Sequence, residues 1–369
     1  MPLTIYIPSS STRDLKMFFD LNNPNDYTVT NDISHPTIDI AVCEFNDFFG
    51  DVVINNVKAK FYIMLDIFHN FEDQISRCID ALKKLPDNFF IISNTISTTE
   101  ASNKIIHNDF LFNRTKAYYN NYPFRDNTVK WCYYNKNNYV DVNLTDSNNK
   151  SKIFVAPNKT YRSHRTRNLK FRPRLVELLD SVQYQNLGYI GNSDDNPSKF
   201  LYSHSDFPFI DNIQDLEKQV CPSQSYFAYA PPHNEYYKNT FISIYGETIE
   251  YGTTIAVTEK TYDPLLKGHF ILPFSASGVI SHLTSLGFKF PNFIDYSYDT
   301  VVDDEQRYQS YQQQVKRLLD LDIDIWKKHW DNNMSILLHN KNMFFERSYD
   351  RIDFLSLTNQ HKLCETNSV

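Results

Sequence analysis

Two glutamates and a Thr-Glu-Lys sequence follow a predicted strand in the second half of the chain. Glu247 and Glu250 come directly after an apolar segment of strand composition, and further along Thr258, Glu259 and Lys260 begin a predicted helix. Thr258 fits a helix N-cap, and the helix dipole favours an acid in the first turn. A carboxylate such as Glu259 can also accept ribose or sugar hydroxyls, while the adjacent ammonium reaches a phosphate oxygen. The pattern allows a helix cap alone or a nucleotide-sugar site.

A basic segment precedes this region. Residues 159–174 (KTYRSHRTRNLKFRPR) contain seven lysines and arginines, one histidine and no acid. They lie between a predicted strand and a predicted helix, where cations beside a helix N-terminus can hold a phosphate or a pyrophosphate. The composition also fits a solvated surface loop or, less well, an RNA-binding segment, since it contains no recognised nucleic-acid-reading motif.

Short apolar segments alternate with predicted helices along the chain, which predicts parallel sheets covered by helices. The predicted strands are Leu3–Ile7, Thr37–Val42, Phe61–Leu65, Phe89–Ile92, Ile153–Ala156, Leu187–Gly191, Thr240–Tyr245 and Phe270–Phe274. The predicted helices are Asp73–Leu85, Pro173–Val182, Thr258–Leu266 and Gly278–Leu286, followed by a helical region over residues 303–345. Residues 141–152 (DVNLTDSNNKSK) are polar and predict a linker between two α/β halves.

Composition excludes several classes of protein. The eight glycines form neither a G-x-G-x-x-G nor a P-loop pattern, which argues against common NAD-dependent dehydrogenases and P-loop NTPases. A net charge of −7 argues against a dedicated nucleic-acid or anionic-membrane binder. Five scattered cysteines suit a reducing compartment and predict no thiolate metal site. Without a recognisable signal peptide or a long apolar run, we expect a cytoplasmic protein with no membrane span. The Asn-, Ile-, Lys-, Tyr- and Phe-heavy composition hints at an AT-rich, viral genome, which would mean the host cytoplasm.

The segment that contains the Thr-Glu-Lys sequence resembles the donor-binding motif of the alpha-1,3-fucosyltransferases. The shared pattern is Phe241-x5-Glu247, then Val-Thr-Glu-Lys at 257–260, then Gly268 and a strand. A wider segment, TEKTYDPLLKGHFILPFSASGVISHLTSLGFKFPNFIDYSYD, is similar to a group of viral and bacterial glycosyltransferases. The match covers about residues 240–300. This chain has Thr248 where an Asn usually follows the first Glu, Ala256 in place of an aromatic, and a longer spacing between the two motif glutamates, so fucose, xylose, rhamnose or another sugar remains open.

The resemblance implies a GT-B fold, in which two Rossmann-like domains face a central cleft, with C-terminal helices. The expected domains are an acceptor-side domain over 1–148, a donor domain over 149–340 and a helix end and tail over 341–369. The resemblance also implies a GDP- or UDP-sugar as the donor substrate, a glycan or another hydroxyl compound as the acceptor, no obligatory cofactor and no metal. The site residues that it implies are Arg165, Arg172, Arg174, Thr258, Glu259 and Lys260 for nucleotide-sugar binding, and Glu247 near the sugar as a catalytic residue.

An inverting transfer also needs a base that deprotonates the acceptor hydroxyl. The candidates in the first half of the chain are Asp109, Glu44, Asp66 and His69. Asp109 is preferred because basic and tyrosine side chains, such as Lys116 and Tyr118, follow it closely. Each of these acids could instead be a capping or turn residue.

Two other patterns receive a structural interpretation. Asp320, Asp322 and Asp324 have the D-x-D spacing of a metal site, but they lie in a helical segment where alternate residues face different directions, which predicts exposed surface. His269 could contact a ligand, although a buried structural histidine is the more common outcome.

We therefore expect an inverting, metal-independent glycosyltransferase. The alternatives are a non-catalytic module that binds a nucleotide or a glycan, and, less favoured, an RNA-binding protein that uses residues 159–174.

Overall fold

The computed structural model of the protein describes residues 3–7, 13–22, 27–44, 58–66, 88–93, 95–96, 105–119, 144, 146–157, 171–190, 234–252, 254–346, 348–349, 352 and 354. The chain divides into two compact units. The first consists of Met1–Ala117, Tyr122–Val129 and Ser348–Val369, and the second of Tyr118–Asn121 and Lys130–Arg347. The predicted domain boundaries after residues 148 and 340 stay a prediction.

The first unit contains a six-stranded parallel sheet in the order β2-β1-β3-β4-β5-β7. The strands of this part of the chain are β1 (Leu3–Tyr6), β2 (Tyr27–Thr30), β3 (Ile38–Glu44), β4 (Ala59–Asp66), β5 (Phe89–Ser93), β6 (Thr95–Ile96) and β7 (Ile105–His107). Its described helices are α1 (Arg13–Asn22) and α2 (Phe110–Tyr119). The predicted helix Asp73–Leu85 lies outside the described residues.

The second unit contains a four-stranded parallel sheet in the order β12-β10-β8-β9. Its described strands are β8 (Phe154–Ala156), β9 (Gly188–Ile190), β10 (Ile242–Gly246), β11 (Ile255–Ala256) and β12 (Phe270–Phe274). Its described helices are α3 (Phe171–Leu179), α4 (Asn234–Asn239), α5 (Glu259–Leu266), α6 (Val279–Ser285), α7 (Asp304–Leu319), α8 (Ile323–Asn332) and α9 (Met334–Asn342). Short 3-10 turns cover Ser147–Asn149, Ser297–Thr300 and Met343–Phe345.

Two neighbouring strands of the second sheet, β10 and the edge strand β12, are buried on both faces. Every residue of β10 and of β12 is buried, which explains why both read as nearly continuous apolar runs rather than alternating ones. Three tyrosines then fasten the C-terminal half of the unit to β12: the hydroxyls of Tyr296, Tyr298 and Tyr311 each donate to a backbone carbonyl of that strand. The mixed α/β fold class, with parallel sheets and C-terminal helices, is confirmed.

The predicted C-terminal helical region contains three α-helices, α7, α8 and α9. Trp326 and Trp330 of α8 are fully buried in the core of the second unit. Among the described residues, no helix is both long and apolar enough to cross a bilayer.

The helix predicted over Pro173–Val182 is displaced toward the N-terminus. It begins at Phe171 and ends at Leu179, so Val182, the last residue of the predicted helix, lies outside it and is 87% exposed. The cause is tertiary: the carboxylate of Glu250 accepts the backbone N–H groups of Phe171 and Arg172 and so fixes the start of α3.

The described part of the polar segment 141–152 packs into the second unit. Leu144 is buried in the core, and the Lys150 ammonium donates to three backbone carbonyls at the end of α4 while it lies over the Trp330 ring. Burial lowers the pKa of Lys150 to about 7.

Candidate functional site

The topology of the second sheet places one site at its carboxyl edge. β8 lies between β9 and β10, so the connections that leave β8 and β10 diverge at this point. Such a switch point is where open parallel sheets bind ligands. Arg172 lies on α3, the described helix after β8, and Glu247 directly follows β10. The Arg172 guanidinium donates to the carbonyl oxygens of Gly246 and Glu247, at 3.1 and 2.5 Å, and so joins the two connections.

Glu247 is a fully buried carboxylate that accepts four hydrogen bonds. Oε1 accepts from the backbone N–H of Thr258 at 3.1 Å and from the Thr261 hydroxyl at 2.5 Å. Oε2 accepts from the Thr258 hydroxyl at 2.6 Å and from the backbone N–H of Thr248 at 3.1 Å. A buried carboxylate is stable only with partners of this kind. The structure therefore gives Glu247 a positioning role beneath the start of α5, and its predicted contact with a sugar stays a prediction.

Thr258 is the N-cap of α5, as its position in the sequence predicts. Its hydroxyl accepts from the backbone N–H of Lys260 at 3.3 Å, which satisfies one of the free N–H groups at the helix start. Glu259 follows in the first turn, where the helix dipole favours an acid. The side chains of Glu259 and Lys260 remain partly exposed, at 23% and 16%. The first turn thus presents a carboxylate and an ammonium side by side.

Lys260 has weak polar contacts around its ammonium. Nζ lies 3.3 Å from the Thr248 hydroxyl oxygen, 3.5 Å from that of Thr258 and 3.5 Å from Oε1 of Glu259. All three distances exceed the usual range of N–H···O bonds. Because an ammonium has three N–H donors, it can bind a ligand oxygen by giving up the 3.5 Å contacts while it keeps the shorter one to Thr248.

Arg172 and Glu250 form a buried ion pair at the same edge. Nε of Arg172 lies 3.2 Å from Oε1 of Glu250, and the two side chains are 6% and 0% exposed. Burial raises the pKa of the Glu250 carboxyl, while the charge and backbone N–H of Arg172 oppose this shift. The predicted contact of Arg172 with a diphosphate is not tested by these contacts.

Arg174 lies one turn along α3 and pairs with α7. Its guanidinium makes two contacts with the Glu305 carboxylate, at 2.8 and 3.0 Å, and stacks over the Tyr308 ring at 4.2 Å. This geometry braces α3 against α7. The diphosphate role of Arg174 also stays a prediction, and Arg165 lies outside the described residues.

Three of the predicted base candidates belong to the carboxyl edge of the first sheet. Glu44 ends β3 and Asp66 ends β4, and Asp66 is in register with the last residue of β5. Asp109 follows β7, is 8% exposed and has its Oδ1 3.2 Å from Nε2 of His107. His69 lies outside the described residues. The choice among these candidates stays a prediction.

His269 and the three aspartates of the D-x-D pattern have positions and contacts that fit structural roles. The His269 ring is buried, contacts the carbonyls of Tyr237 and Thr240, and has its pKa held well below the ordinary value by burial. The aspartates lie at helix ends: Asp320 caps α7, Asp322 precedes α8, and Asp324 in its first turn pairs with Lys327.

Sequence reasoning missed two buried residues that hold the loops of this edge. Arg307 is fully buried and donates to backbone carbonyls that include those of Ser275 and Glu250. The Asp299 carboxylate accepts the first backbone N–H groups of α6. The residue before this helix, Gly278, has a φ of 95°. No local pattern indicates the Arg307 contacts with Ser275 and Glu250, since these two partners lie on separate loops far along the chain. Asp299 ends the wider segment that resembles other glycosyltransferases, but nothing in the sequence pairs its carboxylate with the N–H groups of Val279 and Ile280.

The comparisons with known proteins give little at the sequence level. No protein-family model matches the chain, and no curated protein matches its sequence. A solved structure described as "Crystal Structure of alpha1,3-Fucosyltransferase" aligns with 96% of this chain and 83% of its own, at 10% identity and a TM-score of 0.43.

Proposed function

We propose that this chain is a glycosyltransferase whose second unit binds a nucleotide-diphosphate sugar at the carboxyl edge of its sheet. The observation that supports this most is the partly exposed Glu259–Lys260 pair in the first turn of α5. The buried Glu247 fixes the start of this turn through its hydrogen bonds from Thr258. A ribose or sugar offers neighbouring hydroxyls to a carboxylate, and a diphosphate offers oxygens to an ammonium and to helix N–H groups. One ligand of this class would engage both side chains.

Lys260 is the main phosphate-binding cation in this proposal. Arg172 and Arg174 already have carboxylates of the same unit beside them, Glu250 and Glu305. A diphosphate near either arginine would therefore compete with an existing ion pair. At Lys260 it would compete only with contacts of 3.5 Å, to the Thr258 hydroxyl and to Glu259.

In the proposed reaction, the acceptor hydroxyl oxygen bonds to the anomeric carbon of the sugar while the bond from that carbon to the diphosphate breaks. The electron pair of the broken bond leaves with the nucleoside diphosphate, and Lys260 stabilises the charge that develops there. Attack from the face opposite the leaving group inverts the anomeric centre. The acceptor proton passes to a base, for which Asp109, Glu44, Asp66 and His69 remain the candidates. Side-chain cations take the place of a metal in this scheme.

Calorimetric titration of the full chain with GDP, UDP and TDP tests the binding step. We expect one of them to bind, and Lys260→Met to weaken that binding about tenfold to a hundredfold, the usual effect of losing hydrogen bonds to a charged group. Lys327→Met is the matched control, since Lys327 lies on α8 and pairs with Asp324 instead. If the wild-type chain binds none of the three diphosphates, the proposal is wrong.

Incubation with GDP- and UDP-sugars separates the transferase from its alternatives. Release of the nucleoside diphosphate, slow with water and faster with a glycan acceptor, supports a transferase. Binding without release favours the non-catalytic module. Tight RNA binding with no affinity for nucleoside diphosphates would favour the RNA-binding alternative, although the carboxylate partners of Arg172 and Arg174 argue against it.

A further inference from the structure

Thr248 provides the shortest polar contact to the Lys260 ammonium. Its hydroxyl oxygen accepts from Nζ at 3.3 Å, and its backbone N–H donates to the buried Glu247 carboxylate at 3.1 Å. The backbone of residue 248 is therefore fixed to the Glu247 carboxylate, which accepts four hydrogen bonds. The Thr248 hydroxyl thus holds the end of a flexible four-carbon side chain, that of Lys260, against a rigid part of the loop.

Thr258 contacts the same ammonium but has other tasks. Its hydroxyl donates to Glu247 at 2.6 Å and accepts the backbone N–H of Lys260 at 3.3 Å. Replacing Thr258 would disturb the anchor and the helix start together. Thr248 instead offers a hydroxyl whose removal leaves its own backbone bond to Glu247 in place.

We infer that Thr248 is a positioning residue that holds the Lys260 ammonium at the ligand side of the site and thereby raises affinity for a diphosphate. This inference rests on the proposed function. A neutral hydroxyl fixes the direction of the ammonium and leaves its positive charge available to the ligand. A second carboxylate in its place would cancel that charge. Ordering the side chain before the ligand arrives lowers the entropy lost on binding.

A double-mutant cycle tests the inference. The variants are Thr248→Val, which keeps the shape and removes the hydroxyl, Thr248→Ser, Lys260→Met and the Thr248→Val/Lys260→Met pair. Thr284→Val is the matched control, because the Thr284 hydroxyl binds a backbone carbonyl within α6. The dissociation constant is measured by calorimetry for the nucleoside diphosphate that binds the wild type, and for the corresponding nucleoside, which has no phosphate.

We expect Thr248→Val to weaken diphosphate binding about twofold to threefold, the lower end of the effect of one hydrogen bond because the contact is long, and to leave nucleoside binding unchanged. Thr248→Ser and Thr284→Val should retain wild-type affinity. With Lys260 already replaced, Thr248→Val should have no further effect, because Thr248 acts through that ammonium.

Three results would overturn the inference: unchanged diphosphate affinity in Thr248→Val, an equal loss for the nucleoside, or an equal loss in the Lys260→Met background. The last two would show a general structural role. These results are distinct from failure of the proposed function, in which the wild-type chain itself binds no nucleoside diphosphate.

Discussion

Asp299 tests whether burial or helix capping controls a carboxylate in this fold. Its side chain accepts the backbone N–H groups of Val279 at 3.1 Å and Ile280 at 2.9 Å, and the residue is 3% exposed. The N–H groups favour the charged carboxylate, whereas burial disfavours it. Burial is the larger effect and raises the pKa from 3.8 to about 6. We predict that Asp299→Asn removes a pH-dependent part of the unfolding free energy.

The size of this effect follows from the shift in pKa. A rise from 3.8 to about 6 corresponds to about 3 kcal/mol. Because the folded state holds this proton more tightly than the unfolded state, the stabilisation is fully present below the unfolded pKa and is lost as the pH rises through the folded one. Asparagine does not titrate. The unfolding free energy of the wild type minus that of the variant should therefore fall by about 2 to 3 kcal/mol between about pH 4 and 7.

Urea unfolding followed by tryptophan fluorescence measures this difference, since Trp326 and Trp330 are buried in the core of the same unit. Asp303→Asn controls for the loss of one charge, because Asp303 is an exposed cap on the neighbouring α7. Either of two results would refute the reasoning: a constant difference would show that the N–H groups balance burial, and a difference that rises with pH would show that they outweigh it.

Two further substitutions test the site. Glu247→Gln replaces one accepting oxygen by an NH₂ group that faces N–H and hydroxyl donors, so we expect the free energy of unfolding, measured with urea, to fall by about 2 to 4 kcal/mol and calorimetry to show weaker nucleoside diphosphate binding. Glu177→Gln, on the exposed face of α3, is the control. Unchanged values in Glu247→Gln would contradict its anchoring role. Asp109→Asn should lower kcat for sugar transfer about a hundredfold or more with donor affinity intact. A wild-type kcat in that variant would transfer the assignment to Glu44, Asp66 or His69.

Features that depend on neighbouring residues were predictable from the sequence. β12 has the predicted bounds, Phe270–Phe274, because five consecutive apolar residues suit only a strand buried on both faces. The N-cap at Thr258 is also local, since its hydroxyl binds an N–H two residues further on.

Features that depend on distant residues were not predictable. α3 starts early because Glu250, far along the chain, caps Phe171 and Arg172. At its other end the helix stops at Leu179, which leaves Val182 exposed to solvent. A sequence pattern records which residues are apolar, but not which carboxylate will reach which backbone N–H.

The sequence by itself determined the alternation of strands and helices and drew attention to the segment from Glu247 to Lys260. Tertiary structure decided how each charged group of that region is used. It placed Glu247 in a buried set of four hydrogen bonds, paired Arg172 and Arg174 with acids, and left Lys260 with long contacts. The reason is physical: a charge can leave water only when partners surround it, and those partners come from loops that only the folded sheet brings together.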